Sequence, residues 1–272
     1  MPTAHCRAST SAARLKAVEL TVAAMRERLG EPLSLQALAR TAHCSQYHFN
    51  RLFRQVTGVP PCRFLAAMRL EAAKRLLLTT HHSVTRVCFE VGYNSVGSFT
   101  RHFTGDVGLP PHSLRRFATG GAAPPVPDAA PEAGARAVVT ASVEAPEGFA
   151  GAVFAGVFPE PIPRGRPVVC AVLTGAGELR LGPVPDGDWY VLAAGLDGPP
   201  TAATLLHHDA LRATAPVSVR GGRAECVRLE LRAPSPVDPP ILVPLPVLMA
   251  GYGSEQRGRS TACGAGPDCD AS

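Results

Sequence analysis

Asn50 and Arg51 stand side by side in the run Gln46-Tyr-His-Phe-Asn-Arg-Leu-Phe-Arg54, and both carry flat, forked hydrogen-bonding groups. A guanidinium can bond O6 and N7 of guanine together, and a carboxamide can pair with N6 and N7 of adenine. About fifty residues later Thr100-Arg101 stands in a run of matching outline, Val96-Gly-Ser-Phe-Thr-Arg-His-Phe103. If the first run is helical, Phe49, Leu52 and Phe53 mark its inward face, and Gln46, Tyr47, Asn50, Arg51 and Arg54 lie away from it. On the second run the matching candidates are Ser98, Thr100 and Arg101. Val96 can touch a thymine methyl, whereas Gly97 has no side chain to offer. The competing role for each arginine is a phosphate clamp or an internal ion pair.

Such side chains need rigid carriers, and the chain writes the same carrier twice. Ser34-Leu-Gln-Ala-Leu-Ala-Arg through Gly58 matches Ser83-Val-Thr-Arg-Val-Cys-Phe through Gly108 position by position. Each copy has a serine at a helix start, a short apolar helix, a tight turn, a second serine and a second helix, the outline of a helix-turn-helix. Ser45 and Ser95 can cap the second helices by accepting a backbone N–H. Ala39 and Cys88 fall where the two helices cross closely, so a small side chain is required. Gly92 suits a turn with positive φ, and His43 at the matching place predicts some strain. Between the copies, Leu65, Met68, Ala72 and Leu76 form a stripe at helical spacing.

Residues 12–118 resemble the AraC/XylS-type DNA-binding domain of bacterial transcription regulators. The resemblance rests on the paired motifs, on the joining segment Pro61-Cys-Arg-Phe-Leu-Ala-Ala-Met-Arg-Leu, and on Val91-Gly-Tyr-Asn-Ser-Val-Gly-Ser-Phe-Thr-Arg-His-Phe. It implies two helix-turn-helix units on a linker helix. It also places base reading on Tyr47, Asn50 and Arg51, with Arg54 nearer the phosphates. On the second helix it places base reading on Val96, Gly97, Thr100 and Arg101, where Val96 and Gly97 depart from the polar residues often found in the family and leave readout to Thr100 and Arg101. Charge points the same way: residues 13–118 hold fifteen Lys and Arg against six Asp and Glu, net +9, whereas the rest of the chain holds twelve against sixteen, net −4. A segregated basic excess attracts a polyanion whatever its sequence.

Composition changes after residue 118. Residues 119–135 are rich in Pro, Ala and Gly and read as a semi-stiff linker across which few contacts are expected. Residues 136–232 hold about seven short alternating runs punctuated by Gly, Pro and Asp, which predicts an antiparallel β-sandwich. The run Leu179-Arg-Leu-Gly-Pro-Val-Pro-Asp-Gly-Asp-Trp is similar to a carboxypeptidase-regulatory or transthyretin-like sandwich. Within residues 233–272, Ile241-Leu-Val-Pro-Leu-Pro-Val-Leu-Met-Ala is too short and proline-broken to span a bilayer and reads as an apolar strap along the sandwich. A polar tail of disordered composition follows it. The fold class expected is therefore multidomain, an all-α double helix-turn-helix domain and then an antiparallel β-sandwich.

Other chemistry is thinly represented. The eight cysteines, at 6, 44, 62, 88, 170, 226, 263 and 269, form no Cys-x-x-Cys pair and no zinc spacing. Without an apolar core in the first twenty residues, they read as reduced thiols in a cytoplasm, Cys88 and Cys226 being buried. Pro61-Cys62-Arg63 is superficially similar to an alkyl-acceptor motif of DNA repair proteins, and His207-His208-Asp209 reads as a solvated loop. No catalytic residue, metal or cofactor is expected.

The function expected is sequence-specific binding of double-stranded DNA by a transcription regulator, with no enzymatic activity and no membrane partner. Its two recognition helices would enter the major groove about one turn apart, roughly 34 Å. RNA polymerase is a candidate partner, as is a small-molecule effector or a protein at the C-terminal domain. A DNA repair or modifying protein using the module for targeting is the alternative. A pocket with convergent polar groups would favour a sensor, and a smooth closed sandwich a scaffold.

Overall fold

Four serines set where the short helices begin. In the computed structural model, which describes residues 3–119, 121, 137–197, 209–224 and 226–244, the hydroxyls of Ser34, Ser45, Ser83 and Ser95 accept the backbone N–H groups of Ala37, His48, Arg86 and Ser98 at 3.1, 3.3, 3.1 and 3.4 Å. Each satisfies a donor that the helix start leaves open. The helices are α1 (Thr3–Glu27), α2 (Leu35–Thr41), α3 (Gln46–Thr57), α4 (Pro61–Thr79), α5 (Val84–Glu90), α6 (Val96–Val107) and α7 (Pro111–Ala118). Helix α1 begins well ahead of residue 12. Gly58 and Gly108 end α3 and α6 at φ 79° and 87°, a left-handed cap that a Cβ would disfavour. Proline at the first position of α4 and of α7 then restarts the chain with its φ already helical.

Helix α4 is the hub of this half. Leu65, Met68 and Ala72 of the expected stripe are buried, but so are Phe64, Ala67, Leu70 and Leu77 on a second stripe. An axle buried on two sides can hold both motifs at a fixed separation. Around it Phe49, Phe53 and Phe64 pack edge to tilted face, with ring centroids 5.5 and 5.3 Å apart. Phe99 and Phe103 repeat the pattern in the second motif at 5.5 Å.

The C-terminal half has strands β1 (Ala137–Glu144), β2 (Ala152–Phe158), β3 (Val169–Thr174), β4 (Gly177–Val184), β5 (Gly187–Leu196), β6 (Leu211–Arg220), β7 (Arg223–Ala224) and β8 (Val227–Glu230). They form two sheets, ordered β4-β1-β8 and β3-β2-β5-β6-β7. Alternation along β1 sends Ala137, Val139, Ala141 and Val143 inward to meet Val153, Val157 and Val191 of the larger sheet. One pairing departs from the antiparallel expectation: β1 and β8 run parallel, with Ala141 opposite Val227. Hairpin logic cannot produce that pair, since a parallel partner needs a long crossover and the rest of the sandwich intervenes between β1 and β8. Alternation also corrects the reading of Cys226, which is exposed because Val227 and Leu229 take the inward positions beside it.

The expectation of few contacts between the halves does not hold. Ile162, Val237 and Leu242, all from the C-terminal half, belong to the core of the helical half. Residues 233–244 run as a strap whose successive side chains face opposite ways: Ile241 and Val243 cover Phe154, Phe158 and Leu192 of the larger sheet, and Leu242 turns to the helices. Polar contacts fix the same junction. Arg164 pairs with Asp106 at 2.7 Å, Arg63 with Glu160 at 3.4 Å, and the Gly165 N–H donates to the Asp106 carbonyl at 2.6 Å. Lys74, fully buried on α4, donates to the carbonyls of Ile241 and Leu242 at 3.0 and 3.2 Å. The rest of the expected linker and of the tail, with Cys6, Cys263, Cys269, His207 and His208, lies outside the residues whose side chains are described.

Candidate nucleic-acid interface

Apolar anchors decide which way each second helix presents itself. With Phe49 and Phe53 fully buried and Leu52 nearly so, α3 must turn Gln46, Tyr47, Asn50, Arg51 and Arg54 outward, and all five are exposed. Tyr47 is the extreme case at 82% exposure, an unusual setting for a large aromatic ring. Arg51, Arg54 and Arg101 form no ion pair with another described residue, so their guanidinium groups remain available.

The second helix offers less. Arg101 is exposed, while Ser98 and Thr100 are half-buried. Val96 packs against the helical core. A Cβ built on Gly97 meets only the Ser95 hydroxyl, at 3.8 Å, so the start of α6 is bare. Helix α3 thus carries seven exposed polar or aromatic side chains, the five candidates with His48 and Gln55, whereas α6 leans on Arg101 and His102 with half-buried Thr100 beside them.

The turns hold these helices by backbone geometry. His43 sits at φ 53° and Gly92 at φ 84°, the equivalent places of the two copies. A Cβ on Gly92 would come 2.8 Å from the Leu29 carbonyl oxygen, so packing as well as φ demands glycine there. At the crossing points Ala39 and Cys88 are buried as expected, and burial pushes the Cys88 thiol up from its ordinary range. Thr57 closes the turn after α3 by donating to the Phe53 carbonyl at 2.9 Å and accepting the Val59 N–H at 3.3 Å.

Not every positive charge in this half faces outward. Arg69 donates to the carbonyls of Leu29 and Glu31 at 3.0 and 2.6 Å, and Arg115 to those of Leu77 and His82 at 3.1 and 2.6 Å. Both tie down the segment that enters a helix-turn-helix. With Lys74 they remove three cations from the surface that the sequence count had credited to it. The signal for Lys74 was legible: Phe64, Ala67, Leu70 and Leu77 recur at helical spacing with Lys74 in line among them.

The C-terminal half docks at the far ends of the same helices. Pro161 lies against Gly58 at the close of α3, and Asp106, near the end of α6, takes Arg164. Base-reading candidates occupy the first halves of both helices and keep clear of this contact. Cys62 is exposed at the start of α4. Among the described residues no group of three His, Cys, Asp or Glu could hold a metal ion, and no helix is long and apolar enough to cross a membrane.

Comparison with known proteins agrees with this geometry. A family model described as a helix-turn-helix domain matches residues 38–116. The uncharacterized HTH-type transcriptional regulator YobQ of Bacillus subtilis is 34% identical over 95 residues, which is 35% of this chain and 39% of YobQ. The MmsAB operon regulatory protein of Pseudomonas aeruginosa is 36% identical over 92 residues, 34% of this chain and 30% of that protein. The chain therefore spans well under half the length of these relatives. The bifunctional transcriptional activator/DNA repair enzyme AdaA of B. subtilis is 27% identical over 100 residues, 37% of this chain and 47% of AdaA. The crystallised DNA-binding domain of AdpA, in complex with a target DNA, is 32% identical, with 38% of this chain and 93% of that domain covered at a TM-score of 0.37. Paired motifs, capped second helices and the family-model match together identify the segment from Leu38 to Arg116 as a helix-turn-helix domain.

Proposed function

We propose that the chain is a sequence-specific DNA-binding transcription regulator that lays α3 and α6 into successive major-groove segments of one duplex. The observation that carries this is the outward face of α3, whose first half bears exposed Gln46, Tyr47, Asn50 and Arg51; α6 adds exposed Arg101, and the C-terminal half meets both helices at their far ends. Tyr47, Asn50 and Arg51 read bases, Arg54 holds phosphate, and Thr100 and Arg101 make the sparser second contact. Gln46 and Ser98 flank these at the helix starts. The work is that of a cytoplasmic protein without a catalytic step, and RNA polymerase is a partner of the bound complex.

Selection of binding sites from a random duplex pool by the purified full chain tests the reading. A bipartite motif, strong over one half and weak over the other with centres about ten base pairs apart, is expected. Enrichment of no motif would overturn it. Cys62→Ser retaining full binding and regulation is expected as well, and loss of activity on that change would favour a repair enzyme instead.

A further inference from the structure

Between α4 and the strap the two halves leave a cleft of about 350 Å3, within the usual range for small-molecule sites. Its apolar lining is Leu29 from the helical half and Pro234, Pro236 and Pro240 from the strap, with buried Phe64 and Met68 at its back. Three arginines converge on it from separate elements: Arg26 at the end of α1, Arg75 on α4 and Arg212 on β6. Arg26 and Arg75 are exposed and form no ion pair with a described residue. Arg212 donates from Nη1 to the Pro239 carbonyl at 2.6 Å, while its Nε is buried without a described partner. That Nε is closed off from the cleft, so Arg212 meets an occupant through the rest of its guanidinium.

Two carboxylates, Glu71 and Asp238, also line the cleft. Asp238 is held at both oxygens by Arg232, at 2.6 and 2.9 Å, and with Glu71 it also acts on Arg212, so the two carboxylates offset part of the charge of the three arginines and leave Arg26 and Arg75 as the exposed cations. The remaining field is positive beside an apolar wall. Guanidinium groups bind planar oxyanions through paired N–H donors, and the wall favours a carbon body over a bare ion.

We propose that this cleft binds a small organic carboxylate with an apolar body, its carboxylate on Arg212 and Arg75 and its body against Leu29 and the strap prolines Pro234 and Pro236. Helix α4 carries both motifs and forms one wall, and the strap forms the other, so an occupant bridges the DNA-binding half to the sandwich. Its service as an effector rests on the regulator reading above; the binding itself does not.

The test is calorimetric titration of the full chain with phenylacetate, adipate and octanoate, each against its uncharged amide, and with inorganic phosphate. At least one carboxylate should bind with its amide and phosphate failing. The exposed double change Arg26→Gln with Arg75→Gln should weaken it at least fivefold without altering the fold by circular dichroism. Ala72→Trp, which fills the cleft, should abolish binding, and if that variant does not fold the double variant decides. Binding by none of the three acids, equal binding of amide or phosphate, or an unchanged affinity in the double variant would overturn the proposal. Operator binding is scored on the same samples. A chain that binds DNA and no carboxylate sinks this site alone, and one that binds a carboxylate and no DNA sinks the regulator reading alone.

Discussion

His43 and Gly92 occupy the same turn position, yet substitution should move them in opposite directions. Gly92→Ala forces a Cβ to 2.8 Å from the Leu29 oxygen at φ 84° and should cost about 1–3 kcal/mol. His43→Gly relieves a left-handed non-glycine residue and should be near neutral or stabilising by up to roughly 1 kcal/mol, since chain entropy offsets part of the gain. Chemical denaturation of both variants measures the pair, and equal effects would mean that the turns are not equivalent. At the surface, Arg51→Ala should weaken specific binding by about 1–3 kcal/mol and relax preference at one base position. Equal weakening on specific and random duplexes would show that Arg51 touches phosphate only. Of the candidate contact residues, those on α3 were legible because Phe49 and Phe53 fix the face they leave exposed. The roles of Arg69 and Arg115 were not, since nothing in their neighbours names the distant carbonyls that they bind.

Among the elements, α4 and the strap have the most to reveal. Burial lowers the Lys74 ammonium from its ordinary 10.5 to about 8. The folded chain therefore releases this proton before the unfolded chain does. The cost of burying the charge is present in full below pH 8 and fades as pH rises toward 10.5, so this group makes stability increase with pH across that window. Urea unfolding of the wild type against Lys74→Met should show this rise in the wild type alone; parallel pH profiles would contradict it. Leu242→Ala, which removes the strap's plug in the helical core, should cost about 2–5 kcal/mol. If the strap is only a loose cover, the change will be within error. Such docking could not be read from residues 119–135, whose composition signals a boundary without saying whether the bodies on either side touch.

For the whole molecule the distribution of charge separates the roles of its halves. Residues 136–232 carry nine arginines against ten Asp and Glu, close to balance. Among the described residues, three of the six exposed arginines there have local partners: Arg220 has Asp188 at 2.7 Å, Arg228 has Glu144 and Arg232 has Asp238. Replacing Arg220, Arg223 and Arg228 together by Gln should leave the slope of log affinity against log salt unchanged. By contrast, Arg54→Gln should make it shallower by about one unit, because the slope counts neutralised phosphates. Fluorescence anisotropy across a salt series measures both, and a shallower slope in the triple variant would mean that the sandwich contacts DNA.

By itself the sequence determined the elements and the paired motifs, because periodicity, caps and turn residues act over a few positions, where one chain carries all the information. It determined the outward set on α3 for the same reason: Phe49, Leu52 and Phe53 leave a helix only one face to hide. The tertiary structure decided what depends on residues far apart: the parallel pairing of β1 with β8, the exposure of Cys226, and the capture of Arg69, Arg115 and Lys74 by carbonyls as much as 168 positions away. It also decided that Arg26, Arg75 and Arg212 meet in one cleft. A guanidinium or an ammonium looks the same in sequence whether it faces water, phosphate or a buried oxygen. Only packing settles which of these supplies its partner.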